Sequence, residues 1–511
     1  MTRVMMKVWL FATCLCLLGQ EACGTDDDDE SPGDDDTTTE PTETPDVDDS
    51  GNATIDVDLD ATVGTVRALN GVQGGPAGIN EGDPDLSTYY LEAAVPLVRL
   101  PQDDGFSYTL GGIFPDADAD PNDPASYEFG PIDASVGAIV DIGADVLWEA
   151  TYDIGGGDSW VGCCMTGTAP TDLEKWGNVV EHVLMHFNDG WADGHNWNVR
   201  FVESINEPFM LGVYDRADFE ACWQAFAALS KVIDRYNART GRSVQVVAYA
   251  DPILTLDEGP GTDLGLMGNF LDFVAAEGLT LDAFSYHSYS DPEFQADIAW
   301  AARDVLDRAG FEDVALFNSE WNNALTVDPS AIGDPLHINA YRAASETQTK
   351  ILLQEVVDQA VVYRGNQRGY HGEETPTDNT FFSETGEPMP AYYGWLVFRD
   401  AETLTPVRVS ASGAEAPLVA MASRSEDSSL VSIIIANWQV DPESAEAISY
   451  RIQIQGLTPS TELPAALRVV THSTSDYEPV ETDTLAADAG GTAVLEDTVP
   501  AWSVHYWLIG E

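Results

Sequence analysis

The chain has 511 residues, of which 44% are hydrophobic and 10% aromatic, a composition that supports a sizeable core and excludes global disorder. Its 87 acidic and 22 basic residues give a net charge of −65, which argues against a nucleic-acid partner because phosphate binding needs clustered Lys and Arg. Two explanations of this charge stay open, a surface adapted to high salt or a merely acidic extracellular protein.

The first 52 residues are predicted to serve export. Residues 1–23 place Arg3 and Lys7 before an apolar run at 8–18 that is too short to span a membrane, as in an export signal. Cys23 follows, and its position resembles the lipidated cysteine of a bacterial lipoprotein. We therefore expect an extracellular, periplasmic or cell-surface protein, with two alternatives, a lipid anchor at Cys23 or none. Residues 24–52, rich in Asp, Thr and Pro, indicate an acidic disordered linker.

Three cysteines remain beyond the signal. Because three is an odd number, at most one internal disulfide forms, joining Cys222 to Cys163 or to Cys164. The other alternative is three buried thiols. Their spacing does not resemble a zinc site, and no bound metal is expected.

Residues 67–402 alternate short apolar runs with helical patterns. Strands are predicted at 95–100, 145–150, 199–205, 244–249, 283–289 and 314–320. Helices are predicted at 171–188, 216–238, 263–277, 291–309 and 338–358, the first with a capping box formed by Thr171 and Glu174. Repeated strand–helix units predict an α/β fold, a (β/α)₈ TIM barrel, with a doubly wound sheet as the alternative.

The remainder of the chain, residues 403–511, changes pattern. Its apolar runs are short, lack a helical period and are separated by Gly, Pro, Ser and Thr. This pattern predicts an accessory β-sandwich at the C-terminus. The strand-like stretch at 53–66 is expected to join that sandwich.

Two predicted barrel strands end in glutamate. One closes with Asn206, Glu207 and Pro208, and the other with Glu320. We count these as strands four and seven, and Pro208 is expected to halt its strand so that Glu207 projects into the mouth. Catalytic residues of TIM barrels lie at the carboxyl ends of strands, and two facing carboxylates suit the cleavage of glycosidic bonds. Among so many acidic residues, a glutamate at a strand end also arises by chance.

These motifs together resemble glycoside hydrolase family 39, the β-xylosidase and α-L-iduronidase family, within a retaining clan that carries its carboxylates on barrel strands four and seven. The matching residues are Arg99, Glu203, Asn206, Glu207, Pro208, His287, Tyr289, Glu320, Trp321 and Asn322. The family's barrel and sandwich would cover the chain from about residue 53 onward. Two positions depart from the family pattern: residues 100–103 lack a histidine, and residues 359–364 lack a tryptophan.

The resemblance implies a retaining glycosidase that acts on a carbohydrate and needs no cofactor. Glu207 would be the acid/base, its pKa raised by burial and nearby negative charge, and Glu320 the nucleophile. Arg99 and Tyr289 would hold Glu320 as an anion. The remaining expected substrate-binding residues are Asn206, His287, Trp321 and Trp148.

Structural explanations stand beside these assignments. His287 would otherwise be a hydrogen-bonded barrel residue, and the tryptophans would pack in the core. Glu203 is expected to be structural, facing inward and paired with Arg99. Alternating acids at 116–123 suggest a calcium loop less well than a solvated one. The alternatives to an enzyme are a non-catalytic carbohydrate-binding protein and an adhesive lipoprotein that uses the barrel as a scaffold.

Overall fold

The computed structural model describes residues 53–76, 84–100, 109–151, 154, 170–204, 206–207, 219–251, 267–323, 332–365, 381–383, 385–414 and 416–510. The predicted export signal and acidic linker lie outside these residues, as do Cys163, Cys164 and Pro208. Within them, Cys222 is buried. None of the described helices has the length and apolar character needed to cross a membrane.

Eight parallel strands close into a barrel, which confirms the predicted TIM barrel and shows that the doubly wound alternative was wrong. Closure is made by the first and last strands, where Gly71 and Val72 pair with Val361 and Val362. In chain order the barrel strands are β2 (Gly71–Gln73), β3 (Leu97–Leu100), β4 (Asp145–Ala150), β5 (Phe201–Ser204), β6 (Gln245–Asp251), β7 (Ala283–Tyr289), β8 (Ala315–Asn322) and β9 (Gln359–Val362).

Helices follow the strands along most of the described chain. They are α1 (Ser87–Glu92), α2 (Leu110–Ile113), α3 (Gly130–Asp141), α4 (Leu173–Asp189), α5 (Phe219–Thr240), α6 (Met267–Glu277), α7 (Pro292–Arg308), α8 (Pro335–Leu353) and α9 (Pro390–Leu404). The predicted capping box of α4 was wrong, because Asp172 is the N-cap and its carboxylate accepts a hydrogen bond from the Lys175 N–H. Helix α9 was not predicted; most of its residues are buried, so its sequence lacks an amphipathic stripe.

Side chains of the barrel strands alternate between its interior and the layer beneath the helices. The interior is filled by one ring of apolar residues from seven strands: Leu97, Leu147, Phe201, Val247, Ala283, Phe317 and Val361. Their strand neighbours, such as Val98, Val146 and Val202, belong to the large outer core instead. Because successive residues of a strand face opposite sides, this ring places Arg99, Glu149 and Glu203, each two residues later, inside the barrel. In β8 a register shift between Asn318 and Trp321 interrupts the alternation, so that Glu320, three residues after Phe317, lies inward.

The predicted accessory β domain is confirmed as a second, mostly antiparallel sheet of nine strands. They are β1 (Ala53–Thr65), β10 (Val407–Ser412), β11 (Leu418–Arg424), β12 (Val431–Asn437), β13 (Ile448–Gln455), β14 (Glu462–Val470), β15 (Glu481–Ala486), β16 (Ala493–Val499) and β17 (Ser503–Ile509). The strands form one continuous sheet rather than two, in the order β15-β14-β17-β12-β11-β10-β1-β13-β16. Ile55, Ile433 and Ile452 meet in its own core.

Strand β1 links the two halves of this sheet, since it pairs antiparallel with β10 and parallel with β13. The sheet packs against α8 and α9 of the barrel. Tyr341 of α8 lies edge-on to Trp438 and Trp502. The Thr405 hydroxyl, just after α9, donates to the Ser432 hydroxyl. The barrel therefore shares its outer core with the accessory sheet.

Candidate active site

The two glutamates singled out by the sequence meet at the carboxyl ends of the barrel strands. Glu207 follows β5, the fourth barrel strand, and Glu320 lies in β8, the seventh, so the predicted strand positions are confirmed. One carboxylate oxygen of Glu207, one of Glu320 and a ring nitrogen of His287 all lie within 4.8 Å of one another. Glu207 is 5% exposed and Glu320 is 7% exposed. The two carboxylates thus lie close together and are nearly enclosed.

Arg99, in β3, donates hydrogen bonds to four side chains. Its Nε donates to Glu203 Oε2 at 2.6 Å, and its Nη1 donates to Glu320 Oε2 at 2.9 Å. Nη1 also donates to Gln73 Oε1 at 3.0 Å, and Nη2 to Asn206 Oδ1 at 2.7 Å. The rigid guanidinium fork therefore sets the positions of the nucleophile candidate and of Asn206 together.

The charge of Arg99 is secured by its neighbours. Burial alone would lower the pKa of the guanidinium, but the carboxylates of Glu203, Glu320 and Glu149 outweigh that effect and raise it. Glu149 Oε1 also accepts a hydrogen bond from the Asn206 N–H at 3.1 Å. Arg99 is accordingly a permanent cation among buried carboxylates, which favours the anionic form of a glutamate that it touches.

Glu207 lies just after β5, and its backbone conformation is not that of a strand. Its φ is +45°, a left-handed backbone conformation that is uncommon for residues other than glycine and that concentrates at functional sites. Its backbone N–H donates to the Ala250 carbonyl oxygen at 3.2 Å. With this backbone conformation the Glu207 side chain lies beside His287.

His287, in β7, lies between the two glutamates. Its Nδ1 is 2.7 Å from Glu207 Oε1 and 3.8 Å from Glu320 Oε2. Burial and the nearby Arg99 cation lower the pKa of His287 well below its ordinary value, so the imidazole is neutral at physiological pH. A neutral Nδ1 donates a hydrogen bond to ionised Glu207 or accepts one from its protonated form, depending on the tautomer.

Tyr289 completes the contacts of Glu320, since its hydroxyl donates to Glu320 Oε1. Burial, Glu320 and other neighbours raise the pKa of this phenol well above its ordinary value, and it therefore stays a donor. The Tyr289 ring lies 6.2 Å from the ring of Tyr363, edge to face. Tyr363 follows β9, the last barrel strand, and is half-buried. Tyr363 was not among the predicted site residues, because the family pattern has a tryptophan in this stretch.

The comparisons with known proteins agree with this architecture. No protein-family model matches the sequence, and no curated protein matches it. Among solved structures, a glucosidase from Croceicoccus marinus has a TM-score of 0.72 at 22% identity, covering 90% of this chain and 99% of its own. A glycoside hydrolase family 39 enzyme from Xanthomonas axonopodis pv. citri has a TM-score of 0.67 at 14% identity, covering 90% and 97%.

A monomeric β-xylosidase from Caulobacter crescentus CB15 has a TM-score of 0.68 at 15% identity, covering 89% of this chain and 99% of its own. The chain shares the fold of glycoside hydrolase family 39. These matches cover 89–90% of the chain, so the predicted resemblance is confirmed at the level of fold.

Two predicted substrate-binding tryptophans point away from the mouth. Trp148 is fully buried in β4, where it lies edge-on to Phe187 of α4 at 5.7 Å. Trp321 is also fully buried and belongs to the outer core. Each is the strand neighbour of an inward residue, Leu147 or Glu320, and so faces the helices. The expectation that Trp148 and Trp321 contact sugar was wrong.

Two groups of side chains among the described residues have the geometry to hold a metal ion. The first is Glu207, His287 and Glu320, but the Arg99 guanidinium beside Glu320 supplies the positive charge there and disfavours a second cation. The second consists of Asp133 in α3, His186 in α4 and His195 in the connection from α4 to β5. In the acidic loop at 116–123, by contrast, Asp116 and Asp120 accept hydrogen bonds from backbone N–H groups two residues on, as in a solvated loop.

Proposed function

We propose that this chain is a retaining glycoside hydrolase with Glu320 as nucleophile and Glu207 as acid/base. The observation that carries the proposal is that one carboxylate oxygen of Glu207 and one of Glu320 lie within 4.8 Å of each other at the barrel mouth. Retaining enzymes hold their two carboxyl groups about 5–5.5 Å apart, whereas inverting enzymes leave about 6.5–9.5 Å for a water molecule. The short separation favours direct attack by one carboxylate.

The reaction would take place in two displacements. In the first, Glu207 donates its proton to the glycosidic oxygen while Glu320 attacks the anomeric carbon, so that the C–O bond to the leaving group breaks and an ester to Glu320 forms. In the second, Glu207 takes a proton from water, whose oxygen attacks the same carbon and releases Glu320. Glu207 ends protonated again, and no external cofactor enters the balance.

The surrounding groups match these roles. Arg99 and Tyr289 both donate to Glu320, which stabilises the carboxylate before attack and as a leaving group. The Asn206 Oδ1 accepts a hydrogen bond from Arg99, so the side-chain N–H groups of Asn206 can donate to a sugar hydroxyl. The neutral His287 ring contacts the Glu207 carboxyl group. It can hydrogen-bond to that group both when Glu207 is protonated and when it is ionised. His287 would thus position the acid/base.

The solved structures with this fold support a carbohydrate substrate, since they include a glucosidase and a β-xylosidase. The binding-only alternative requires that the paired carboxylates perform no chemistry. Nothing in the geometry blocks that chemistry among the described residues, because both glutamates retain some exposure and the contacts that their roles require.

The first experiment measures release of aryl alcohol and reducing sugar from a broad panel of glycosides and polysaccharides, at low and at high salt. Glu320→Gln should abolish turnover, because an amide cannot act as the nucleophile. Glu207→Gln should lower the rate about 10²–10⁴-fold with poor leaving groups and less with good ones. Glu312→Gln, at an exposed acid after α7, should match wild type. Equal turnover in wild type and Glu320→Gln would refute the assignment.

The stereochemical outcome tests the retaining mechanism separately. Proton NMR of the first product from an active aryl glycoside should show the anomer of the substrate. Appearance of the opposite anomer would mean that water attacks directly and that Glu320 acts as a base. Glycan binding without turnover, unchanged in Glu320→Gln, would instead favour a carbohydrate-binding protein.

We infer from the N-terminal sequence that the chain is exported. Fractionation of cells that express the full chain should place it outside the cytoplasm. Wild type in the membrane fraction, with Cys23→Ser released from it, would establish the lipid anchor, whereas both variants in the soluble exported fraction would establish free secretion. Retention of wild type in the cytoplasm would contradict export.

A further inference from the structure

A second cluster of chemically active side chains lies away from the paired glutamates. It combines Asp133 in the first turn of α3, His186 in the last turn of α4, and His195 in the connection from α4 to β5. One ligand atom from each lies within 4.8 Å of the others. Two imidazoles and a carboxylate are a donor set that suits divalent transition metals such as Zn²⁺.

The two histidines face one carboxylate. His186 Nε2 is 2.9 Å from Asp133 Oδ1, and His195 Nε2 is 3.5 Å from Asp133 Oδ2. Ligands about 2.0–2.1 Å from a tetrahedral zinc ion lie roughly 3.3 Å from one another, so the two distances bracket the edge of such a site. Asp133 and His195 are partly exposed, which leaves room for water as a fourth ligand.

The ring of His186 is held in the state that a metal requires. Its Nδ1 is 2.9 Å from the Trp191 carbonyl oxygen, a pure acceptor, so Nδ1 carries the proton. This leaves the Nε2 lone pair toward Asp133, and a hydrogen bond of this kind commonly orients metal-binding histidines.

The orientation of both rings is fixed by packing. His186 stacks on Phe129 with ring centroids 3.5 Å apart and planes 2° apart. His195 stacks on Trp197, also at 3.5 Å and nearly parallel. Gly194 permits this arrangement, since a Cβ there would lie 2.2 Å from the His186 carbonyl oxygen. The ligands are therefore preorganised, which lowers the entropic cost of binding.

We propose that Asp133, His186 and His195 bind one divalent transition-metal ion, with Zn²⁺ as the reference metal. The connection that carries His195 leads into the amino end of β5, whereas the paired glutamates lie at the carboxyl ends of the strands. In TIM barrels the amino end serves stability and the carboxyl end serves chemistry. The ion would therefore be structural, joining α3 to the α4–β5 connection.

The test uses the full chain, expressed without a polyhistidine tag and stripped with a chelator. Titration with ZnCl₂ in a calorimeter should give one ion per chain, and Co²⁺ should give the visible absorption bands of a tetrahedral site. Asp133→Asn and His195→Ala should each weaken Zn²⁺ affinity at least about tenfold, because even the outer partners of metal ligands are worth about 10–100-fold. Both sites are partly exposed, and near-UV circular dichroism checks that each variant is folded.

His472→Ala is the matched control. This exposed histidine stacks on His337 with ring centroids 4.0 Å apart, and the pair offers a rival surface site for zinc. The His472→Ala variant should bind Zn²⁺ with the same affinity as wild type. Absence of Zn²⁺ and Co²⁺ binding by wild type would overturn the proposal in favour of a simple ion pair. Binding that persists in Asp133→Asn and His195→Ala, or that is lost in His472→Ala, would place the metal elsewhere and overturn it equally.

Discussion

Replacement of Arg99 by methionine should destabilise the barrel far more than the loss of an ordinary ion pair. Methionine keeps the apolar stem but removes every donor that binds Glu203 and Glu320. The Arg99 and Glu203 side chains are fully buried. Removal of one partner from a buried pair leaves the other charge uncompensated, at about 3–5 kcal/mol. We therefore expect Arg99→Met to lower the free energy of unfolding by that amount.

A second substitution tests whether the uncompensated carboxylate is the cause. In Arg99→Met/Glu203→Gln one buried charge is replaced by a neutral amide of the same shape. The double variant should recover about 1–2 kcal/mol of the loss, within the range measured for directly contacting residues. The quantity is the free energy of unfolding from urea transitions followed by tryptophan fluorescence at pH 7.

The control for this experiment is an exposed ion pair in the same barrel. Arg200 binds Asp145, and their side chains are 47% and 33% exposed. Arg200→Met should cost at most about 1 kcal/mol, because solvent screens such pairs. If Arg99→Met costs no more than Arg200→Met, or if Glu203→Gln restores nothing, the claim that Arg99 offsets buried carboxylates at the site is wrong.

Three further predictions concern protonation and packing. The folded-state pKa of His287 is depressed, so its contribution to stability is present above pH 6.5 and is lost as the pH falls. The free energy of unfolding of His287→Asn should therefore decrease by about 1 kcal/mol less than that of wild type between pH 6.5 and 5.5. Burial lowers the pKa of Lys350 to about 7 despite its acidic neighbours, so wild type should gain about 1 kcal/mol relative to Lys350→Met between pH 7 and 8, and equal slopes would contradict this. Trp148→Ala should lower the free energy of unfolding by about 3–5 kcal/mol, whereas Tyr363→Ala should raise KM with little change in stability. If Trp148→Ala instead raised KM and left stability unchanged, Trp148 would contact substrate at the mouth.

Most of the strand–helix alternation of the barrel, and both of the paired carboxylates, were predictable from the amino-acid sequence. Apolar runs of strand length that alternate with amphipathic helices predict a parallel sheet, and strand 283–289 was predicted with its observed bounds. Closure of that sheet into a barrel distinguishes the TIM barrel from the doubly wound alternative. The Asn-Glu-Pro motif and a second glutamate three units later identified Glu207 and Glu320, because catalytic residues of this fold lie at strand ends. These inferences rest on local patterns, which a single sequence contains.

Which side chains meet at the mouth depends on contacts between residues far apart in the chain. The alternation along a strand shows that neighbouring residues face opposite sides, but not which of them face the barrel interior. In β4 the structure shows that Leu147 faces the interior and that Trp148 packs on α4. The four partners of Arg99 come from three strands and the turn after β5, and Tyr363 reaches Tyr289 past the intervening strand β8. Such contacts join residues far apart in the chain, and no local pattern encodes them because barrel closure brings them together.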